Sequence, residues 1–159
     1  MPNQVAGWLD SLSSLAQLEE LYLAWTDCPS LAFTSALPTL KKLSCRGTPV
    51  SDLGPLGGLP NLVSLNFSDT CTTDLAPLAG AGGLKRLVCV NTAINDLAPL
   101  AGLGGLEQLD LFDSAIADLA LLAGLPGLRE LWCGYRPMPE DGFLVSVRSD
   151  PSSADRAGC

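Results

Sequence analysis

Residue types able to do covalent chemistry are few in this chain, and they recur at fixed intervals. There is no histidine, so neither a Ser-His-Asp nor a Cys-His nucleophile pair can be assembled, and the commonest zinc ligand is missing. Asp52, Asp74, Asp96 and Asp118 return every 22 residues. Such a column invites a calcium reading, but calcium needs roughly 6–8 clustered oxygens. Each aspartate instead precedes an L-x-P-L segment or its variant, where a carboxylate caps the backbone N–H groups of a short helical turn. Ser30 is placed to do the same in the first unit. Gly57-Gly58, Gly80 with Gly82-Gly83, and Gly104-Gly105 fall in one short stretch of the same period. No Walker or G-x-G-x-x-G pattern surrounds them, so they read as turns and not as phosphate cradles. The expectation is a protein that is not an enzyme and that uses no metal or cofactor.

The elements that would carry any other function follow from the same period. Leu18, Leu40, Leu62, Leu84, Leu106 and Leu128 align at a spacing of 22 without an insertion. Three residues on come Leu21, Leu43, Leu65, Leu87, Leu109 and Leu131, and two further Leu23, Cys45, Phe67, Cys89, Leu111 and Cys133. Then follow Thr26, Thr48, Thr70, Thr92 and Ser114, and a small or aliphatic column of Cys28, Val50, Thr72, Ile94 and Ile116. Leu15, Leu37, Leu59, Ala81, Leu103 and Leu125 close the unit. From Leu21 to Leu23 apolar and polar residues alternate, the period of a half-buried strand. The leucines of one unit cannot offset the ordering entropy of its 22 residues, so the units must stack, strand on strand, to bury both sides of each leucine layer.

These columns resemble the leucine-rich-repeat family, in the 22-residue L-x-x-L-x-L-x-x-[NT]-x-I-x-D-[LI]-x-P-L-x-x-L form of bacterial internalin-like proteins, over roughly residues 9 to 136. The resemblance implies a leucine-rich-repeat solenoid, with a curved parallel β-sheet on the concave face and short 3-10 or extended turns on the convex face. The threonine column takes the place where many members of the family carry an asparagine ladder, which one hydroxyl replaces only in part.

The division expected along the chain is an N-terminal half-repeat cap over 1–17, five full repeats and the start of a sixth over 18–135, a C-terminal cap over 136–148, and a disordered tail over 149–159. Trp8, Leu9, Leu12 and Leu15 supply the lid at one end; Met138, Phe143, Leu144 and Val147 supply the other. No basic stretch followed by an apolar run opens the chain: Asp10, Glu19 and Glu20 precede the first cation, Lys41. A cytoplasmic protein, or one secreted by a signal-peptide-independent route, is expected. Cys45, Cys89 and Cys133 take one strand position in alternate repeats, which sets them about 10 Å apart, beyond the reach of a disulfide. With Cys28 and Cys71 they read as small buried hydrophobes in a reducing compartment, leaving Cys159 as the exposed thiol.

Charge narrows the partner. A net of −8 and a pI near 4.2 disfavour nucleic acid and anionic lipid, so the expected partner is another protein, bound by a monomer. The strand register turns one set of residues outward on the concave sheet: Glu20, Tyr22, Ala24 and Trp25; Lys42, Ser44, Arg46 and Gly47; Ser64, Asn66, Ser68 and Asp69; Arg86, Val88, Val90 and Asn91; Gln108, Asp110, Phe112 and Asp113; and Glu130, Trp132, Gly134 and Tyr135. Two of the three tryptophans, both tyrosines and a phenylalanine fall on this face, and Trp, Tyr and Arg are the usual anchors of protein interfaces. The predicted binding residues are Tyr22, Trp25, Lys42, Arg46, Asp69, Arg86, Val88, Asp110, Phe112, Asp113, Trp132 and Tyr135. A rival reading has the terminal aromatics packing under the caps. The expected function is a non-catalytic protein-binding module, such as a bacterial effector or adaptor. A stoichiometric inhibitor or immunity-type protein, and a structural fragment of a larger repeat protein, are the alternatives.

Overall fold

In a computed structural model of the chain, residues 5–116, 118–134 and 145–148 are described. A helix α1 (Val5–Leu12) opens them, and six short strands follow: β1 (Glu20–Tyr22), β2 (Lys42–Ser44), β3 (Ser64–Asn66), β4 (Arg86–Val88), β5 (Gln108–Asp110) and β6 (Glu130–Cys133). Each strand pairs in parallel with the next, and the register advances by one unit: Leu21 lies opposite Leu43, then Leu65, Leu87, Leu109 and Leu131. A slip of one residue would turn the whole leucine column to solvent, which is why the period sets the register. A last strand, β7 (Val145–Arg148), pairs antiparallel with β6. The sheet is open, with strands in chain order.

Between strands the chain returns through 3-10 turns, η1 (Ala32–Ala36), η2 (Gly54–Leu56), η3 (Ala76–Leu78), η4 (Ala98–Gly102) and η5 (Ala120–Gly124). The D-L-x-P-L sequence accounts for the N–H groups that open each turn. Asp52 Oδ1 accepts from the Gly54 N–H at 2.7 Å, and Asp74, Asp96 and Asp118 do the same for Ala76, Ala98 and Ala120 at 2.7, 2.8 and 2.8 Å. In the first three of these turns the next residue is Pro55, Pro77 or Pro99, which has no N–H to satisfy, and in the fourth it is Leu121. The following leucine, Leu56 for instance, donates back to Leu53 at 2.9 Å. The capping carboxylate stands one residue before the leucine that bounds the turn, and Ser30 Oγ caps Ala32 in the same way at 3.2 Å. The capping expected of these residues is present.

The core lies between sheet and turns as a continuous stack of leucine layers; Leu40, Leu62, Leu84 and Leu106 are buried, as are Leu43, Leu65, Leu87 and Leu109. The threonine column serves its own repeat and does not run between repeats. Thr26, Thr48, Thr70 and Thr92 each donate a hydroxyl to the carbonyl three residues back, at 2.7, 2.6, 2.7 and 2.8 Å. Thr72, in a mostly aliphatic column, is buried and pairs with the Thr70 hydroxyl at 3.1 Å.

Two expectations about cysteine need correcting. Cys71 is exposed, not buried. Cys133 is disulfide-bonded, although the spacing argument holds where it was made, since Cys45 and Cys89 are free thiols. The spacing limits bridges only along the strand column, and Cys133 stands at the last parallel strand, where the repeat law ends. Cys159, the tail over 149–159 and the cap residues Met138, Phe143 and Leu144 lie outside the described residues.

Candidate protein-binding face

The sheet face turned away from the 3-10 turns is built from the residues that alternate with the buried leucines. β1 has an exposed–buried–exposed pattern, with Glu20 and Tyr22 outward and Leu21 inward. Backbone pairing runs past the strand ends: Trp25, Gly47, Asp69, Asn91 and Asp113 each donate an N–H to the next repeat, at 2.8, 2.9, 2.9, 2.8 and 2.9 Å. At this same phase the chain turns through the left-handed region, with φ between 51° and 66° at all five positions.

At the N-terminal end of the face, Tyr22 is 63% and Trp25 69% exposed. The described residues of the N-terminal lid do not cover them. Tyr22 donates its hydroxyl to Glu20 at 2.9 Å, and Glu20 pairs with Lys42 at 2.7 Å. Lys42 and Tyr22 hold the Glu20 carboxyl below its ordinary range; the same carboxylate raises the Tyr22 phenol and the Lys42 ammonium. The guanidinium of Arg46 lies 5.5 Å from the centre of the Trp25 ring and donates from Nε to Asp69 at 2.8 Å. Asn91 donates to the other oxygen of Asp69 at 2.9 Å.

The other end is more enclosed. Phe112 and Trp132 are half-buried, and the edge of the Phe112 ring lies beside Gly134, where an added Cβ would come within 3.7 Å of it. Asp110 turns back to accept from the Phe112 N–H at 3.2 Å. Arg86 donates to Gln108 at 2.7 Å and Gln108 to Glu130 at 3.0 Å, a polar chain across three strands. Asp113 is half-buried beside this group, and Tyr135 lies outside the described residues.

Val88 departs from expectation. By register it points outward between Asn66 and Asp110, yet it is only 9% exposed. It is absent from the leucine core, so its cover comes from neighbours on the outer face itself. Val88 is therefore part of the floor and offers little surface to a partner. Ser68 is also buried, receiving the Val90 N–H on its hydroxyl at 3.1 Å.

The predicted residues thus form two groups. Trp25, Arg46 and Asp69 are brought into one contact chain, with Tyr22 and Lys42 joined through Glu20 beside it. Arg86, Asp110, Phe112 and Trp132 stand towards the other end; β1 and β6 are five strand spacings, roughly 24 Å, apart. Asn91 and Gly47 matter more than the sequence reading supposed. Their signal was available: Gly, Asp and Asn at one phase of a repeat mark a left-handed backbone position. Among the described residues no cluster of side chains suits a metal ion.

Comparison with known proteins agrees with this architecture. Residues 38–80 match the family of leucine rich repeats, as two copies. No curated protein sequence is matched. Among solved structures, an internalin (inlF) of Listeria monocytogenes is similar at 30% identity and a TM-score of 0.74, covering 78% of this chain and 37% of that one. Internalin C2 of the same organism is similar at 36% identity and a TM-score of 0.74, covering 76% of this chain and 54% of that one. A leucine-rich-repeat protein of Leptospira interrogans shares the fold at 24% identity and a TM-score of 0.69, covering 74% and 31%. The fold and face define a leucine-rich-repeat solenoid. Its 22-residue repeats are similar to those of the internalins, and the chain spans about a third to a half of the structures it resembles.

Proposed function

We propose that the outer sheet face binds another protein and that the chain acts by this binding and not by catalysis, as an effector or adaptor module. The observation that carries the reading is the exposure of Trp25 and Tyr22 on a sheet face, at 69% and 63%. Two large aromatic rings left in water favour association, and they sit beside an arginine. Phe112 and Trp132 extend the surface towards the opposite end as half-covered rings. The similarity to bacterial internalin repeats supports a binding role for the repeats.

The test is affinity capture with the intact chain, followed by binding measurements on the captured protein. Tyr22→Ala, Phe112→Ala and Trp132→Ala should each weaken binding by about tenfold or more, the effect of losing an interface anchor worth ~1.4 kcal/mol or more. Thermal midpoints should stay within a few degrees of the parent. Unchanged affinity in all three variants would remove the sheet face as the binding surface.

A further inference from the structure

Trp25 occupies a backbone position that its side chain opposes. At the same phase the other repeats place Gly47, Asp69, Asn91 and Asp113, types that tolerate a left-handed backbone, whereas Trp25 adopts φ 61° as a bulky aromatic. Burial does not compensate, since the ring is 69% exposed. The following repeats hold it there. A Cβ at Gly47 would overlap Cε3, Cζ3 and Cδ2 of the indole, so only glycine leaves room for the ring. Arg46 stacks 5.5 Å from the ring centre, Asp69 fixes Arg46 at 2.8 Å, and Asn91 fixes Asp69 at 2.9 Å. Residues from four successive repeats thus orient one solvent-facing indole and one guanidinium. Strain maintained at an exposed residue by a built support is the pattern of a binding site.

We propose that Trp25 and Arg46 form a receptor for an acidic segment of a partner protein. A partner Asp or Glu carboxylate would sit on the outer edge of Arg46, and the apolar side chain next to it on the open indole. This rests on the protein-binding reading of the face and specifies its chemistry. Arg46 uses Nε for Asp69 and its flat face for Trp25. Its two Nη groups make no hydrogen bond to any described residue, and its side chain is 47% exposed. A guanidinium held in one orientation presents those N–H groups as a ready fork for a carboxylate. The face is locally less acidic than the chain: the outward positions of β1 to β4 and the residues that continue them to the left-handed position carry Lys42, Arg46 and Arg86 against Glu20 and Asp69, in a chain with 17 acidic and 9 basic residues.

The experiment is selection of displayed random peptides on the intact chain, followed by binding assays with the enriched sequences as C-terminally amidated peptides. The expected peptides carry Asp or Glu beside an aromatic or aliphatic residue. Their affinity should fall at least tenfold with Arg46→Gln, Arg46→Lys and Trp25→Asn, and replacing the peptide's acid by its amide should abolish the dependence on Arg46. Trp25→Asn, which installs the residue type found at Asn91, should leave the thermal midpoint level or higher. Enrichment of basic peptides, no enrichment, or indifference to Arg46→Gln would each overturn the proposal, as would a midpoint drop of more than ~4 °C in Trp25→Asn, which would make the ring a packing residue. Peptides that lose affinity with Phe112→Ala and Trp132→Ala but not with Arg46→Gln would sink this receptor and leave the sheet-face reading standing.

Discussion

Burial separates the thiols of this chain into reactive and inert ones. It pushes Cys45 and Cys89 up to about 12 and raises Cys28, while Cys71 is exposed. A thiol reagent should therefore modify Cys71 in the native protein and reach Cys28, Cys45 and Cys89 only on unfolding, which mass spectrometry of labelled peptides will show. The raised values also set a pH dependence. The folded thiols keep their protons above about 9.0, the ordinary value at which unfolded cysteine releases them, so the contribution of Cys45 and Cys89 to stability is complete below about 9 and is lost as pH rises towards about 12. The loss amounts to at most about 1.4 kcal/mol per pH unit for each thiol, and melts recorded across that window should show it. Gly47 offers a second test at this scale: Gly47→Ala places a Cβ both at φ 66° and against the Trp25 ring, and should cost about 1–3 kcal/mol by denaturant unfolding. At single residues the sequence was only partly legible. It assigned the aspartate caps and the unlinked Cys45 and Cys89, because both follow from phase. It missed the burial of Val88 and the exposure of Cys71, because lateral neighbours set these and no period encodes them.

Among the elements, the 3-10 turn depends most plainly on a single side chain. Asp96→Ala leaves the Ala98 N–H without its carboxylate at 2.8 Å, and should cost about 0.5–2 kcal/mol, the usual range for losing an N-terminal cap. A loss in that range at Asp52, Asp74 and Asp96 alike, independent of added calcium, is the result expected of capping; calcium-dependent midpoints would contradict it. The strands test differently. Leu87→Ala opens a cavity at a side chain with no exposure, and should cost about 2–5 kcal/mol, whereas Arg86→Ala one residue away on the outer face should cost well under half of that. The six parallel strands and the turns between them were readable, since period two in the strand and the D-L-x-P-L phrase in the turn each state a local geometry; the helix α1 and the antiparallel strand β7 were not, because both lie outside the repeat. The left-handed phase at Trp25 was hidden, because a tryptophan stands where the pattern asks for Gly, Asp or Asn.

Over the whole molecule, each repeat touches its neighbours and the leucine layers form one stack, so stability accumulates along the chain and the exposed face is assembled from residues distant in sequence. The Trp25, Arg46, Asp69 and Asn91 chain crosses four repeats and exists only when they are stacked in register. The solenoid was legible because the period is strict; which outward residues meet one another was not, because side-chain pairing across repeats depends on each position's occupant. Footprinting by carbene labelling, with and without a captured partner protein, tests the central claim most directly. The account predicts that Tyr22, Trp25, Phe112 and Trp132 lose label in the complex while Leu121 and the aspartates of the turns keep theirs. Protection confined to the turn side, with the four rings labelled as in the free protein, would contradict it.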